Sequence, residues 1–170
     1  MELIVGEWKI RSWIEVDVPA IVKYANNRNV WLNLRDSFPH PYTEQDAKTW
    51  LRKVKKQKPE INFAIVSNDE AIGGIGLHPQ RDVYRRSAEI GYWLGELFWG
   101  QGIGTKAVSA FTDYAFASFD LTRIYASVFE GNIASARVLE KAGYNLEGRF
   151  RKAVTKDGRI LDQLVYAIIR

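Results

Sequence analysis

The stretch LFWGQGIGTKAV, residues 97–108, carries three glycines at alternate positions between an apolar run and an alanine-rich run. The apolar run predicts a strand over residues 88–94, and the alanine-rich run predicts a helix over residues 101–119. The backbone N–H groups of Gln101 to Thr105 would then lie at a helix N-terminus, where the helix dipole favours an anion. The pattern predicts a phosphate site, although a tight turn alone also favours glycine.

Two familiar nucleotide motifs do not fit this turn. The mononucleotide motif places lysine directly after its last glycine, whereas Gln101 follows Gly100 here. The dinucleotide motif has the spacing G-x-G-x-x-G, whereas Gly100, Gly102 and Gly104 give G-x-G-x-G. A charge-assisted hydrogen bond contributes roughly 1.5–3 kcal/mol, so a few backbone donors would outweigh one missing lysine. The spacing therefore excludes the two motifs without excluding phosphate.

The composition limits the chemistry that the chain can carry out. It has 170 residues, no cysteine and two histidines, His40 and His78. The length fits a single domain over residues 1–170. The lack of cysteine excludes disulfides and thiolate metal sites, and two histidines disfavour a histidine-built site, so no metal is expected. Carboxylates, hydroxyl groups and the backbone must then supply the chemistry.

The charge and hydropathy patterns indicate a soluble protein. Neither a signal peptide nor an apolar segment of about 20 residues is present, so we expect a cytoplasmic protein with no membrane partner. The net charge of +4 comes from 24 basic and 20 acidic residues, which makes no strong case for nucleic-acid binding. The densest basic cluster is typical of a solvated helix face, with attraction of an acidic acceptor or a phosphorylated ligand as the alternative (Arg52, Lys53, Lys55, Lys56, Lys58).

The elements around the glycine turn follow from periodicity and end signals. Trp8 and Ile10 indicate a first strand, and Asp17 is predicted to cap a helix that ends near Asn26. An irregular connection leads to Thr43, which forms a capping box with Asp46 at the start of the basic helix. Further strands are predicted over 61–66, 71–77, 122–128, 144–154 and 159–169, and a further helix over 132–141.

This order of elements predicts a fold class. Runs of strands interrupted by crossover helices indicate a mixed α/β (α+β) sheet, mostly antiparallel, of about six to seven strands with helices on both faces. Gly73, Gly74 and Gly76 interrupt one predicted strand and mark either a bulge or a close backbone approach. Asp157 and Gly158 predict the turn between the last two strands.

Two segments carry a family resemblance. The runs SAEIGYWLGELFWGQGIGTKAV (residues 87–108) and VFEGNIASARVLEKAGYNLEG (residues 128–148) resemble the GNAT superfamily of acetyl-CoA-dependent N-acetyltransferases, in the branch of the ribosomal-protein N-terminal (alanine/serine) acetyltransferases. FPHPYT and the closing pattern with Gly158, Arg159 and Asp162 extend the resemblance over nearly the whole chain. It implies the GNAT fold and acetyl-CoA as cosubstrate. Trp99 stands where the family's glycine motif begins with Arg or Gln.

The resemblance also implies site residues. The glycine turn would hold the coenzyme A pyrophosphate, and the pantetheine arm would run beside residues 92–94, where that strand separates from strand 122–128. The implied coenzyme A contacts are Trp93, Leu94, Gly100, Gln101, Gly102, Ile103, Gly104, Thr105, Asn132 and Ser135. A backbone N–H near Leu94 would bind the oxyanion. Leu139 occupies the position of a tyrosine that many family members use toward the leaving thiolate, so Ser135 is the candidate donor. Asn132 and Ser135 also suit a helix start on purely local grounds.

Two carboxylates are candidates for the general base. Glu89 precedes the glycine turn, and its alternative is a strand-edge charge paired with Arg85 or Arg86. Asp162 is the second candidate, and its alternative is a structural role in the final strand. An α-amine with a pKa near 8 loses its proton at pH 7 for roughly 1 kcal/mol, against roughly 4–5 kcal/mol for a lysine near 10.4. A site with only a carboxylate to accept the proton therefore favours an α-amine over a lysine side chain as the acceptor.

The acceptor site is expected between residues 33–42 and the hairpin near Asp157. Phe38, Tyr42 and Trp31 would line a cleft there or, alternatively, cover the core. The predicted function is transfer of an acetyl group to a protein or peptide N-terminal α-amine, by direct attack in a ternary complex of a monomer or homodimer. The alternatives are acetylation of a small amine (polyamine, amino acid or aminoglycoside), a non-catalytic acyl-CoA-binding sensor, and a basic RNA-associated module.

Overall fold

A computed structural model describes residues 1–170 and contains a single sheet of eight strands. The strands lie in the order β1-β2-β3-β4-β5-β6-β8-β7. All neighbouring strands are antiparallel except β5 and β6, which are parallel. The strands are β1 (Glu2–Val5), β2 (Trp8–Ser12), β3 (Asn62–Ser67), β4 (Glu70–Pro79), β5 (Ser87–Leu94), β6 (Arg123–Phe129), β7 (Asn145–Lys156) and β8 (Arg159–Ile169).

The helices cover both faces of this sheet, as predicted. They are α1 (Val18–Ala25), α2 (Arg28–Trp31), α3 (Glu44–Val54), α4 (Ile103–Ser118) and α5 (Ile133–Lys141). Successive residues of β3 point to opposite faces of the sheet. Phe63 packs in the core beneath α4 and α5, and Ala64 packs in the core beneath α1 and α3. The predicted α/β class is confirmed. No helix is long and apolar enough to cross a membrane.

The sheet has one strand more than the upper end of the predicted range of about six to seven. Residues Glu2 to Val5 form an additional edge strand that pairs with β2, with Val5 opposite Trp8. Gly6 and Glu7 make a two-residue turn between them, and Gly6 has a φ of 69°, which suits the tight turns of hairpins. The run ELIV is short and does not alternate in polarity, so its pattern alone does not indicate a strand.

Two features near the N-terminal half differ from prediction. Asp17 does not cap α1 with its side chain; its carboxylate accepts the Ile14 N–H at 3.0 Å and pairs with the Arg11 guanidinium at 2.8 Å. The connection that was predicted to be irregular contains α2, which begins because Asn27 Oδ1 accepts the N–H groups of Asn29 and Val30. One helical turn is too short to leave a periodic pattern.

Other predicted boundaries are close to the structure. The Thr43–Asp46 capping box starts α3, and Asp157 and Gly158 form the turn between β7 and β8 with positive φ. Helix α4 begins at Ile103, two residues later than predicted. The glycines of β4 mark close approach: a Cβ added at Gly73 would lie 2.2 Å from the Trp93 carbonyl oxygen, and one at Gly76 would lie 2.2 Å from Asn62 Oδ1.

Candidate active site

The parallel strands β5 and β6 separate and form a fork. Their pairing begins at Ser87 opposite Arg123 and ends at Glu89 opposite Tyr125. Beyond that pair, β5 continues beside β4 and β6 continues beside β8. A cavity of about 930 Å³ occupies this region and is lined by residues of both strands, of α4 and of α5. The separation predicted between these strands is therefore present.

The glycine turn presents unpaired backbone donors to the cavity. Gly100 and Gly102 have φ values of 75° and 78°, which glycine adopts without strain. None of the N–H groups of residues 100–105 hydrogen bonds to another group of the protein. The turn therefore leaves several adjacent donors at the N-terminus of a 16-residue helix, an arrangement that favours an anion.

Most of the predicted coenzyme A contacts line this cavity together. They are Trp93, Leu94, Gly100, Gly102, Ile103, Gly104, Thr105, Asn132 and Ser135. Gln101 does not line it: its side-chain Nε2 donates to the Leu97 carbonyl at 3.0 Å. The side chain of Gln101 thus stabilises the turn from outside.

The indole of Trp99 folds back on the strand that precedes it. Its Nε1 donates to the Leu94 carbonyl oxygen at 2.9 Å. The Gly95 N–H donates to Ile72 on the β4 side, and backbone groups alternate in direction along a strand. The N–H of Leu94 therefore faces the fork, where an oxyanion donor was predicted.

Helix α5 brings two polar residues to the fork. Asn132 Oδ1 accepts the Ser135 N–H at 3.1 Å, so Asn132 caps the helix. The Ser135 hydroxyl lies 2.6 Å from the hydroxyl of Tyr92 in β5. Burial raises the pKa of Tyr92, and the hydrogen bond between Tyr92 and Ser135 opposes part of that rise. The Tyr92 hydroxyl was not predicted to take part in the site, because nothing local in the sequence indicates that it meets Ser135.

Two cations of α5 were also overlooked. Arg137 and Lys141 lie one turn apart, line the cavity and form no ion pair. The two cations are four residues apart on the helix that follows the asparagine cap, so they lie on the same face of that helix. This spacing is the signal that would have indicated them. They add positive charge near the free N–H groups of the glycine turn.

The environment of Glu89 differs from the predicted alternative. Glu89 lies in the middle of the sheet, is 9% exposed and lines the cavity. Its partner is Arg35, whose Nη2 lies 2.6 Å from Oε1 and 2.8 Å from Oε2, and neither Arg85 nor Arg86 pairs with it. Arg86 instead bonds Asp120 at 3.0 Å. Glu89 is therefore the carboxylate that the fold places at the fork.

His78 faces Glu89 across the β4–β5 ladder and also lines the cavity. Burial lowers the pKa of His78, and the nearby Glu89 carboxylate opposes this effect. His78 was not predicted as a site residue. Its position opposite Glu89 follows from the register of β4 and β5, which the sequence pattern does not determine.

Asp162 has a structural role. Its carboxylate accepts the Lys152 N–H at 2.8 Å and pairs with Arg149. These contacts hold the pKa of Asp162 below its usual value, with the Lys152 N–H as the larger cause. Asp162 does not line the cavity. Its contacts span the irregular part of the β7–β8 ladder between Phe150 and Val154, which favours the structural alternative for Asp162 over the role of a base.

A family model described as acetyltransferase (GNAT) domain matches residues 8–145, which include the fork, the glycine turn and all of α5. The chain belongs to the GNAT acetyltransferase family. The uncharacterized N-acetyltransferase YnaD of Bacillus subtilis (strain 168) is 29% identical over 98% of this chain and 93% of that protein. The putative ribosomal N-acetyltransferase YdaF of the same strain is 33% identical over 76% of this chain and 69% of that protein.

Solved structures of GNAT proteins share the fold. RimL, described as a ribosomal L7/L12 alpha-N-protein acetyltransferase in complex with coenzyme A, aligns with a TM-score of 0.87 at 23% identity. The alignment covers 99% of this chain and 98% of that chain. The eight-stranded sheet with helices on both faces is thus a GNAT sheet, and the resemblance inferred from the two sequence segments is confirmed.

The end of the GNAT cavity opposite the glycine turn is built by the connection between α2 and α3. Phe38 and Tyr42 line it and also pack in the core beneath α1 and α3, so both of the roles considered for them apply. Their ring centroids are 4.9 Å apart. Burial raises the pKa of Tyr42 to about 12. Trp50 and Lys53 of α3 complete this end. The basic helix is thus mostly solvated, as predicted, but one of its lysines lines the cavity.

Trp31 and Asp157 do not line the cavity of the GNAT domain. Trp31 stacks on His40 and lies 3.6 Å from the Lys156 ammonium, measured to the ring centroid. The side chain of Lys156 is 3% exposed and pairs with Asp36 at 2.7 Å, while Asp157 pairs with Arg28. The turn of the hairpin therefore anchors the connection that carries Arg35 and Phe38, and the hairpin contributes Gln163 of β8 to the cavity lining.

Proposed function

We propose that this N-acetyltransferase transfers the acetyl group of acetyl-CoA to the N-terminal α-amine of a protein or peptide, by direct attack in a ternary complex. We also propose that residues 1–170 form one catalytic domain. The observation that carries the function is the continuity of the cavity. It joins the unpaired donors of the glycine turn to the Glu89 carboxylate through the fork between β5 and β6.

The donor end fits coenzyme A. The free N–H groups of residues 102–105 would bind the pyrophosphate, since each is unpaired and lies at the start of α4. Arg137 and Lys141 would add charge complementarity on the facing helix. The backbone of residues 92–94 has lost its β6 partner and would bond the pantetheine amides. Asn132 and Ser135 would close this site from the first turn of α5.

The residues at the fork fit the chemistry of acetyl transfer. The amine nitrogen attacks the thioester carbon, and the negative charge that develops on the carbonyl oxygen would be stabilised by the Leu94 N–H. The C–S bond then breaks and sulfur takes the electron pair. Glu89 would accept the proton that nitrogen loses, directly or through a water. The proton gained by sulfur balances the equation.

The ion pair of Glu89 favours an acceptor of low basicity. Arg35 contacts both oxygens of the carboxylate, so an attacking amine would have to share Glu89 with the guanidinium. An α-amine near 8 needs much less help in losing a proton than a lysine near 10.4. The name printed for YdaF, a putative ribosomal N-acetyltransferase, points to the same class of acceptor.

Mass spectrometry with a peptide panel tests the acceptor class. The panel contains peptides that begin with serine or alanine, the same peptides with a blocked N-terminus and an internal lysine, and small amines. We expect acetylation of the free N-terminus, absent from the blocked peptides. The rate should rise with pH up to about 8, where an α-amine becomes neutral. Acetylation of small amines alone would show that the proposed acceptor is wrong.

The anchored connection at the acceptor end favours a second candidate. Lys156 and Asp157 tie residues 28–36 to the hairpin, and Phe38, Tyr42 and Trp50 contribute apolar walls. Such a walled end also fits a small amine, and the same panel distinguishes the two candidates.

A further inference from the structure

Two hydroxyl groups from different elements meet inside the cavity. Tyr92 belongs to β5 and Ser135 to the first turn of α5, and their oxygens are 2.6 Å apart. Tyr92 Oη also lies 3.3 Å from the Ser135 carbonyl oxygen, which is long for an O–H···O bond. The hydroxyl–hydroxyl bond is therefore the main hydrogen bond of the Tyr92 side chain.

This bond can run in either direction, and the two directions differ in chemistry. If Ser135 donates to Tyr92, the only hydroxyl hydrogen of Ser135 is committed. If Tyr92 donates to Ser135, the Ser135 hydrogen stays available to a group in the cavity. A neighbouring atom that acquires negative charge would select the second direction, because it accepts a strong hydrogen bond.

Resting on the acetyl transfer proposed above, we propose that Tyr92 is a positioning residue that directs the Ser135 hydroxyl hydrogen toward the departing thiolate sulfur. The bond from the amine nitrogen to the acetyl carbon forms, the C–S bond breaks, and the electron pair stays on sulfur. The hydrogen bond from Ser135 stabilises that charge. One proton leaves nitrogen and one is gained by sulfur, so neither hydroxyl is consumed.

Stabilisation by a hydrogen bond fits this pair better than net proton loss. A thiol near 8.5 holds its proton less tightly than a tyrosine near 10, and burial raises the pKa of Tyr92 further. The position of the family's tyrosine is occupied by Leu139, which is fully buried in the core. Tyr92 therefore supplies from β5 a phenol hydroxyl that α5 does not offer.

The chain contains a matched control for this pair. Tyr144 bonds the hydroxyl of Thr112 at 2.7 Å, and both residues are buried away from the cavity. Tyr92→Phe and Tyr144→Phe each remove one hydroxyl from a hydroxyl–hydroxyl pair, but only the first acts at the fork. Tyr92→Phe should lower kcat about 10- to 100-fold, the effect of one hydrogen bond to a charged group. Its KM for acetyl-CoA and its Kd for coenzyme A should stay within about twofold.

Three further variants test whether the two hydroxyl groups act together. Ser135→Ala should be at least as slow as Tyr92→Phe, and the double variant should be no slower than Ser135→Ala alone. Ser135→Thr keeps the hydroxyl and should recover most of the lost kcat. Equal kcat values for Tyr92→Phe and Tyr144→Phe, or effects of Tyr92→Phe and Ser135→Ala that multiply, would overturn the proposal.

Thiol release from acetyl-CoA by hydrolysis gives a readout without an acceptor. The departing thiolate is the same, so the variants should rank in the same order. If the wild-type protein acetylates no amine in the panel, the proposed acceptor class fails, while the hydrolysis rates still decide the role of Tyr92. If Tyr92→Phe proves unfolded by its melting temperature, the comparison of Ser135→Ala with Ser135→Thr decides whether a hydroxyl acts at this position.

Discussion

The guanidinium of Arg35 and the carboxylate of Glu89 form an ion pair across 54 residues of sequence, with Nη2 2.6 and 2.8 Å from the two oxygens. The arginine side chain is 59% exposed, whereas the glutamate lies in the middle of the sheet. The connection between α2 and α3, on the side where the acceptor is proposed to bind, thus contacts the carboxylate at the fork through Arg35. A movement of that connection would therefore change the hydrogen bonds of the proposed base.

Glu89→Gln should lower kcat about 10²- to 10⁴-fold, the usual contribution of a general base. The substitution preserves the size of the side chain, so coenzyme A binding and the melting temperature should change little. Asp162→Asn is the matched control, because it alters a carboxylate that binds Lys152 and Arg149 away from the cavity. It should lower stability and leave kcat within about threefold. Steady-state kinetics showing equal losses in both variants would argue against a base at Glu89.

Gly102→Ala should weaken coenzyme A binding at least about tenfold. Gly102 has a φ of 78°, where a side chain costs roughly 1–2 kcal/mol and shifts the turn. Gly158→Ala is the control, since that glycine has a φ of 71°, equally open surroundings and no place in the cavity. Calorimetric titration measures both. Gly104 is less suited, because a Cβ there would lie 3.3 Å from Val138 and disturb the packing of α4 on α5. Unchanged binding in Gly102→Ala would mean that the glycines serve only the turn.

Arg137→Gln and Lys141→Gln should each raise the Kd for coenzyme A several-fold and reduce its dependence on salt, because both cations line the cavity without an ion partner. Arg81→Gln, an exposed arginine outside the cavity, is the control. Titrations at low and high ionic strength provide the comparison. A salt dependence that survives both substitutions would place the phosphate contacts elsewhere.

Lys156→Met should raise the KM for the acceptor without changing the Kd for coenzyme A. Methionine is an unbranched side chain one atom shorter than lysine and carries no charge, so the variant leaves Asp36 unpaired and loses the cation–π contact with Trp31. We expect a loss of stability of about 1–3 kcal/mol. Lys55→Met removes an exposed lysine paired with Glu15 and should have little effect. An unchanged KM for the acceptor would show that the anchored connection does not shape that site.

The unfolding free energy should fall between about pH 10 and pH 12. Burial raises the pKa of Tyr144 from 10.0 to about 12. The unfolded chain therefore releases this proton first, and stability that is complete below pH 10 is lost as the pH rises toward 12. Urea unfolding of wild type and Tyr144→Phe across this pH range measures the effect, and the variant should show a shallower decline. Parallel curves would contradict the assignment to Tyr144.

The sequence predicted best those features that local chemistry determines. The capping box at Thr43, the Asp157–Gly158 turn and the asparagine cap of α5 each depend on residues within four positions of one another. The glycine turn was located for the same reason, since alternate glycines directly before a helix indicate a tight turn with positive φ. Strand β1 and helix α2 were missed because both are too short to show periodicity.

Contacts between distant elements could not be read from the pattern. The partner of Glu89 comes from a connection 54 residues away, and the Tyr92–Ser135 pair spans 43 residues. Both depend on how β5 lies relative to α5 and to the acceptor-side connection, which only tertiary packing determines. Asp162 shows the reverse case, in which a residue matching a family pattern bonds its own hairpin.

The parallel pairing of β5 with β6 spans only three residue pairs, and it is the seam between two antiparallel blocks, strands β1–β5 and strands β6–β8. One wall of the fork belongs to each block. A bound acetyl-CoA molecule would bridge the seam, and it would stabilise the folded chain by about 2.7 kcal/mol at a concentration of about 100 times its Kd. The cosubstrate would thus stabilise the packing of the two blocks as well as supply the acetyl group. Without it, the two blocks would separate more easily at the seam between β5 and β6.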